Sequence, residues 1–170
     1  MAAESSNIFV LDSSKNHVFF FSHRKGPYAC FSNFYPSNFI VNGQSYNCSE
    51  QYFMEMKRQT FDPSNLSLRD EILSEIDPHK IKQLGRQIKN YDDETWKQNR
   101  YRHMLNGLKE KFSQNDELAY VLDKTGTAII CEASPLDNIW GIGISSKEAN
   151  SWKPSKGQNL LGIALMECRD

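Results

Sequence analysis

Asn47-Cys48-Ser49-Glu50-Gln51-Tyr52-Phe53-Met54-Glu55-Met56-Lys57-Arg58 is the stretch on which the reading of this chain turns. No glycine or proline interrupts the sequence from here to Pro63, so it predicts a helix. Asn47 and Ser49 are both good N-cap residue types, and Asn47 with Glu50 has the capping-box spacing. On a helix, Glu50, Phe53, Met54 and Lys57 fall along one stripe. Glu50 and Lys57 then stand about 10 Å apart along the axis. A lysine side chain leans toward the helix N-terminus, which brings its amine closer to the carboxylate. An acid and an amine flanked by Phe53 and Met54 are either a pair in use or a helix cap beside a snorkelling lysine. This stretch alone leaves both readings open.

Upstream, Asn38 to Asn47 reads as a hairpin, with Asn42-Gly43 as its turn, delivering the chain into the helix. Before it, Phe31 and Phe34 in CFSNFY can anchor a loop whose Ser32 and Asn33 face a pocket. His23 to Tyr28 is a basic loop, able to take a phosphate or simply to stay solvated. His17 to Ser22 reads as a buried strand, and residues 1–16 as a frayed or edge segment. Downstream, Asp62-Pro63 breaks the helix. Further helices are expected over Leu66 to Ile76, Pro78 to Ile88, Glu94 to Phe112, Asp116 to Leu122 and Leu160 to Cys168. Asp77-Pro78 supplies an N-cap and a proline at N1, and Gly85 allows a close backbone approach. The Glu94 helix offers Tyr101, Met104, Leu105, Leu108 and Phe112 as its core stripe. Trp96 in its first turn is either core or part of a site. Thr127 to Ala133 is a buried strand. The loop Ser134 to Gly143 mixes Asp137, Trp140 and Gly141, a composition suited to admitting and stacking a ligand. Lys156-Gly157 at the entry to the last helix reads as a phosphate seat, although no P-loop pattern is present.

The fold class expected is α+β: a mostly helical single domain, with about six helices around a small β-sheet. The domain is expected to run over 17–170. The chain has 170 residues and a net charge of −1, so there is no global basic field for gripping duplex DNA. No signal peptide or membrane span is read, and the four scattered cysteines fit reduced thiols in a cytoplasmic or nuclear protein. Cys48 has no histidine near it in sequence and reads as structural. The four histidines lack ligand spacing, so no metal and no cofactor are expected.

Several blocks recur in this order in one known family: FSNF at Phe31 to Phe34, SEQYF at Ser49 to Phe53 with Lys57 after it, and LGR at Leu84 to Arg86. Thr125-Gly126, DNIWGIG at Asp137 to Gly143 and GQNLLGIALMECR at Gly157 to Arg169 complete the set. The chain resembles the NADAR, or YbiA-like, family over about residues 18–169. That family usually carries His after the Ser-Glu pair, where this chain has Gln51.

The resemblance implies an N-glycosidase acting on ribosyl compounds. One implied activity removes ADP-ribose from ADP-ribosylated guanine, as a nucleoside or in DNA or RNA, reversing the modification in the manner of a repair enzyme. The other cleaves phosphorylated early intermediates of the riboflavin pathway. A third reading is a module that binds ADP-ribose without turnover, although such a reader would need neither Glu50 nor Lys57. For the enzyme readings, Glu50 is the expected general acid and base, and Lys57 the expected nucleophile through a Schiff base. Trp96 and Trp140 are expected to stack on base or ribose, and Asp137 to hold ribose hydroxyls. Asn33 and Asn159 are expected to hydrogen-bond the sugar or base. Arg24, Lys156 and the Gly157 amide are expected to take a diphosphate, and Gly141 to admit the ligand. Oligomeric state is not legible in the sequence.

Overall fold

The computed structural model describes residues 8–170, so residues 1–7 of the expected N-terminal segment lie outside the described residues. The architecture is α+β, and contacts gather in two compact units. One joins the described part of Met1–Ser32 to Val121–Asp170; the other is Asn33–Tyr120.

The second unit is built on helix α1, Ser49–Phe61. The hairpin before it pairs β2, Phe39–Val41, with β3, Gln44–Tyr46, in antiparallel register. Its turn places Asn42 at φ 49 and Gly43 at φ 81, the double left-handed conformation that Asn-Gly adopts most readily. Tyr46 and Phe39 then meet Tyr52 of α1 at ring distances of 5.2 and 6.1 Å. Such aromatic contacts contribute about 1 kcal/mol each beyond area burial.

Three further helices surround α1 in this unit: α2 (Leu66–Ser74), α3 (Pro78–Gly85) and α4 (Asp93–Ser113). Asp77 caps α3 through a 2.9 Å bond from the His79 amide, with Pro78 in the first turn. Asp92 caps α4 by accepting from the Thr95 amide. What approaches Gly85 is the Met54 side chain rather than a backbone: a Cβ on Gly85 would overlap Met54 Sδ. The core side of α4 also differs from the expected stripe. Trp96, Arg100, Met104, Gly107, Leu108, Lys111 and Phe112 are buried, while Tyr101 and Leu105 are only half-buried.

The N-terminus of α1 corrects the capping prediction. The N-cap position is Cys48, in extended conformation and with no side-chain cap bond. The first-turn donor of Glu50 goes instead to the Asn33 carbonyl, at 3.0 Å. Gln51 reaches back to accept from the Asn47 amide at 2.8 Å. Its Nε2 donates to the carbonyls of Ile72, Leu73 and Glu75, at 2.9, 3.2 and 3.1 Å. One buried amide thus ties the hairpin exit to the end of α2.

In the first unit, β1 (His17–Phe20) and β4 (Ile129–Glu132) pair in parallel, from His17 opposite Ile129 to Phe20 opposite Glu132. A short 3-10 turn covers Ala29–Phe31. Helix α5, Asp116–Asp123, spans the boundary between the units, and α7, Leu160–Arg169, packs on β4. Cys131, Ala133, Ile142, Ile144 and Ala149 form a core cluster here, with Phe9, Leu11, Phe19 and Ile129 packed against it. The remaining helix, α6 (Ser146–Asn150), is absent from the sequence reading, yet it carries a complete capping box between Ser145 and Glu148.

Candidate functional site

The helical period places Glu50, Met54 and Lys57 on one side of α1, as expected. Glu50 is buried at 6% exposure. Lys57 is half-buried, and its Nζ lies 3.4 Å from the Gly85 carbonyl and 4.6 Å from the centroid of the Tyr91 ring. Tyr91 is held in place by its hydroxyl, which donates to Asp93 at 2.9 Å, and by an edge contact with Phe61 at 5.2 Å. Desolvation pulls the Lys57 amine below the ordinary lysine value. The Glu50 carboxylate opposes that shift, and the Arg86 guanidinium adds to it. The acid and the amine therefore feel each other across the helix side, and the amine gives up its proton more readily than a solvated lysine.

Two buried polar atoms stand beside this pair without a hydrogen-bond partner: Asn33 Oδ1 and Ser49 Oγ. Ser49 precedes Glu50 in the helix, and Asn33 supplies the carbonyl that takes the Glu50 amide. Orphaned buried polar groups cost free energy, so these two atoms mark the start of α1 as a polar, incompletely satisfied part of the core. Cys48, also adjacent, is 2% exposed, and burial pushes its thiol up to about 11. It is chemically quiet at neutral pH.

Trp96 lies in the core of this unit. It is 6% exposed, packs on Phe53 and Phe61 at 5.1 and 6.0 Å, and stacks with His103 at 5.7 Å. Those contacts occupy the ring that the stacking role would require.

The expected site residues of the other unit share a different logic. Two segments run side by side there and zip together through their backbones. The amides of Lys156 and Gly157 donate to Ile142, that of Gln158 to Asn138, and that of Asn159 to Gly141. Leu160 and Leu161, the first residues of α7, donate to Ile139 and Trp140. The helix N-terminus read as a phosphate seat has thus spent these donors on its own loop. The Gly157 amide also donates to Ser155 Oγ at 3.1 Å, and a Cβ at Gly157 would overlap the Gly141 carbonyl. These glycines are required by the close approach of two backbones, without a ligand.

Asn159 is fully buried in the left-handed conformation. Its Oδ1 accepts from the Glu132 amide at 3.0 Å, and its Nδ2 donates to the Ile130 carbonyl at 2.9 Å. Both ends of the amide pin β4, which accounts for its burial without a ligand. Asp137 Oδ1 accepts from the amides of Ile139 and Trp140 at 2.9 and 2.8 Å, which shapes the loop. Trp140 is half-buried, and Lys156 is exposed. Arg24 is exposed too, with its Nε on His23 at 3.2 Å and its amide on Ser22 Oγ.

Sequence reading missed three polar residues on α1 that are more buried than Lys57. Arg58 makes a bidentate pair with Glu55, two contacts of 2.8 Å, and also donates to the carbonyls of Asp62 and Pro63. Gln51 is the third. The i, i+4, i+7 spacing of Gln51, Glu55 and Arg58 was the available signal. Tyr91, too, was not singled out. Among the described residues no cluster of three or more His, Cys, Asp or Glu can hold a metal, and no helix is long and apolar enough to cross a membrane.

The family model of the NADAR domain matches residues 19–170. The chain is 37% identical over 150 residues to an N-glycosidase of Acanthamoeba polyphaga mimivirus, covering 82% of this chain and 85% of that protein. It is 29% identical over 163 residues to a riboflavin biosynthesis protein of Vibrio vulnificus, covering 96% of this chain and 38% of that longer protein. Among solved structures it is similar to the NMR structure of the E. coli protein YbiA. There the TM-score is 0.73 at 28% identity, over 99% of this chain and 91% of the other.

Proposed function

The chain belongs to the NADAR family, and from that premise we propose that it is an N-glycosidase that hydrolyses the ribosyl C–N bond of ADP-ribosylated guanine and releases ADP-ribose. The observation that carries this reading is the Lys57 amine, desolvated, set over the Tyr91 ring and within the field of Glu50 on the same side of α1. A relative named as an N-glycosidase supports the reaction class.

The chemistry follows from the two groups. Glu50, protonated, gives its proton to the departing nitrogen as the anomeric C–N bond breaks. The neutral Lys57 amine supplies its lone pair to the anomeric carbon. Its own proton passes to the Glu50 carboxylate and from there to the ring oxygen as the bond between that oxygen and the anomeric carbon breaks, which opens the ribose and leaves a Schiff base to Lys57. Water adds to the C=N bond, the C–N bond to Lys57 breaks, and the amine and free ADP-ribose are regenerated. Asn33, expected to hydrogen-bond the sugar or base, lies beside Glu50 through the bond from the Glu50 amide to its carbonyl. Trp140, half-buried, and Arg24 and Lys156, both exposed, remain candidates for ligand contact in their own unit.

The test is chromatography of products after mixing the protein with ADP-ribosylated guanosine and, separately, with a phosphorylated riboflavin-pathway intermediate. Release of ADP-ribose from the first, lost in Lys57→Ala and trapped as a protein adduct by borohydride, is the expected result. Cleavage of the second substrate alone would instead favour metabolite clearance, a reading supported by the similarity to the Vibrio vulnificus riboflavin biosynthesis protein. Binding of ADP-ribose with no turnover of either substrate would leave a reader module. If Lys57→Ala retains near-normal turnover, the covalent route is wrong and Glu50 serves a direct attack by water.

A further inference from the structure

Helix α3 has three sides with different fates. Ile81 and Gly85 are buried. Lys80, Gln83 and Gln87 line a cleft of about 340 Å³ together with Glu71 and Glu75. The third side carries His79, Lys82 and Arg86, all exposed and spaced i, i+3, i+7. Arg86 is the C-cap in αR conformation, so the helical period extends to it.

This third side leads away from Lys57. At one end, Lys57 Nζ lies 3.4 Å from the carbonyl of Gly85, and the adjacent Arg86 is near enough to disfavour the charge on Lys57. At the other end, the Phe34 ring takes the His79 ring edge-on at 4.9 Å and the Lys82 ammonium at 5.8 Å. Phe34 follows Asn33, whose carbonyl receives the Glu50 amide and whose Oδ1 is a buried atom without a partner. The acids Glu71 and Glu75 stand on the cleft side instead. Asp77, the acid at the helix start, is engaged by the His79 amide. With a net charge of −1 there is no general basic field, so this row is a local feature. Two fixed cations and an imidazole in line on one helix side, with an aromatic ring holding two of them in place, make an arrangement that tracks a phosphate chain.

We propose that the His79–Lys82–Arg86 side of α3, with Phe34 against it, seats phosphate groups of the ligand whose ribosyl carbon meets Lys57. The proposal rests on the reading of that site as an N-glycosidase centre. It assigns roles to His79, Lys82, Arg86 and Phe34 that the reaction itself does not require. The phosphates come either from the diphosphate of an ADP-ribosyl group or from the backbone of a nucleic-acid strand that carries the modified base. From His79 to Arg86 the row extends about 10 Å. A stacked strand presents a phosphate about every 3.4 Å, so the row is long enough for about three.

Binding of a short unmodified single-stranded oligonucleotide, by fluorescence anisotropy, and of ADP-ribose, by calorimetry, separates the sources. Both are measured on the wild type, on Lys82→Gln and on Lys82→Gln/Arg86→Gln, at salt from about 50 to 200 mM. Circular dichroism melts confirm that these surface variants are folded. If a strand occupies the row, the double variant binds the oligonucleotide about tenfold more weakly, and the slope of log K against log salt falls by about 1.4, at about 0.7 per phosphate contact. ADP-ribose affinity then stays put. If the diphosphate is the source, ADP-ribose affinity falls about tenfold and the oligonucleotide is indifferent to the substitutions. Changes below twofold for both ligands overturn the proposal. Because both arms read binding rather than turnover, a failure of the glycosidase chemistry would leave this result legible, and an active enzyme with unchanged binding would refute the row alone.

Discussion

Replacing Gln51 by Leu should destabilise this protein by about 3 kcal/mol while leaving its shape almost unchanged. The side chain is 1% exposed, and leucine fits a similar volume, so the loss is one of hydrogen bonds. The Asn47 amide loses its acceptor, and the carbonyls of Ile72 and Leu73 near the end of α2 lose their donor. The Glu75 carbonyl keeps the Asn47 Nδ2 bond at 2.9 Å and is not orphaned. Three buried or half-buried groups left unpaired, at about 1 kcal/mol each, give the total. In a chain of this size that corresponds to a melting temperature lower by about 6–12 °C. Gln51→His keeps one donor and one acceptor and should cost about 1 kcal/mol. The assay is urea unfolding followed by circular dichroism, fitted with a common slope. A Leu variant within about 0.5 kcal/mol of the wild type would refute the role assigned to the amide. So would a His variant as damaged as the Leu variant.

Burial holds the Lys57 pKa below its usual 10.5, so folding disfavours the charged amine. Wild-type stability relative to Lys57→Met should therefore rise with pH from the depressed value toward 10.5; the opposite slope in paired denaturation curves would contradict the desolvation argument. Gly85→Ala should cost about 1–3 kcal/mol, because the new methyl meets Met54 Sδ. Met54→Ala should relieve part of that cost, and strict additivity of the two changes in a double-mutant cycle would show that they do not meet. Iodoacetamide at pH 8 should modify the half-buried Cys168 well before Cys48, whose thiol sits at about 11; rapid labelling of Cys48 in the native protein, read by peptide mass spectrometry, would overturn its assignment as inert.

Much of the local structure was legible because its causes are local. Asn42-Gly43 turns the hairpin by its own dihedral preference, and Asp77-Pro78 starts α3 by its own capping chemistry. The cap of α1 was misread because its partners are distant in sequence: Asn33 supplies a carbonyl, and Gln51 answers Asn47 while holding α2. The buried side of α4 was misplaced for a related reason. An apolar pattern cannot show that Lys111 is fully buried with its ammonium 5.3 Å from the Phe112 ring and 5.9 Å from the Tyr35 ring. Helix α6 was missed although its Ser145-x-x-Glu148 box stood in the sequence, because five residues are too few to show a period. In the loop before α7, the residue types were those of a ligand site. The donors proved to be consumed by a second backbone strand, which no single segment reveals.

Helix α1 shows why a buried polar group need not be a reactive one. Gln51, Glu55 and Arg58 form one polar side, and Glu50 and Lys57 another, on the same few turns. Arg58 is held by four contacts of 2.8 to 3.0 Å, and Glu55 receives two of them. The hydrogen bonds to Glu55 hold the Arg58 pKa above its ordinary value, and taking its proton would strand the buried partner at a cost of about 3–5 kcal/mol. Such a group is fixed in charge, and a group fixed in charge cannot relay protons at the pH at which the protein works. Lys57 is held differently, by one long contact to the Gly85 carbonyl and by the face of Tyr91. Desolvation favours loss of its proton by more than the Glu50 carboxylate opposes it. The bonds of Gln51, Glu55 and Arg58 keep the helix in place, so the Lys57 amine can change protonation without moving the backbone that carries it.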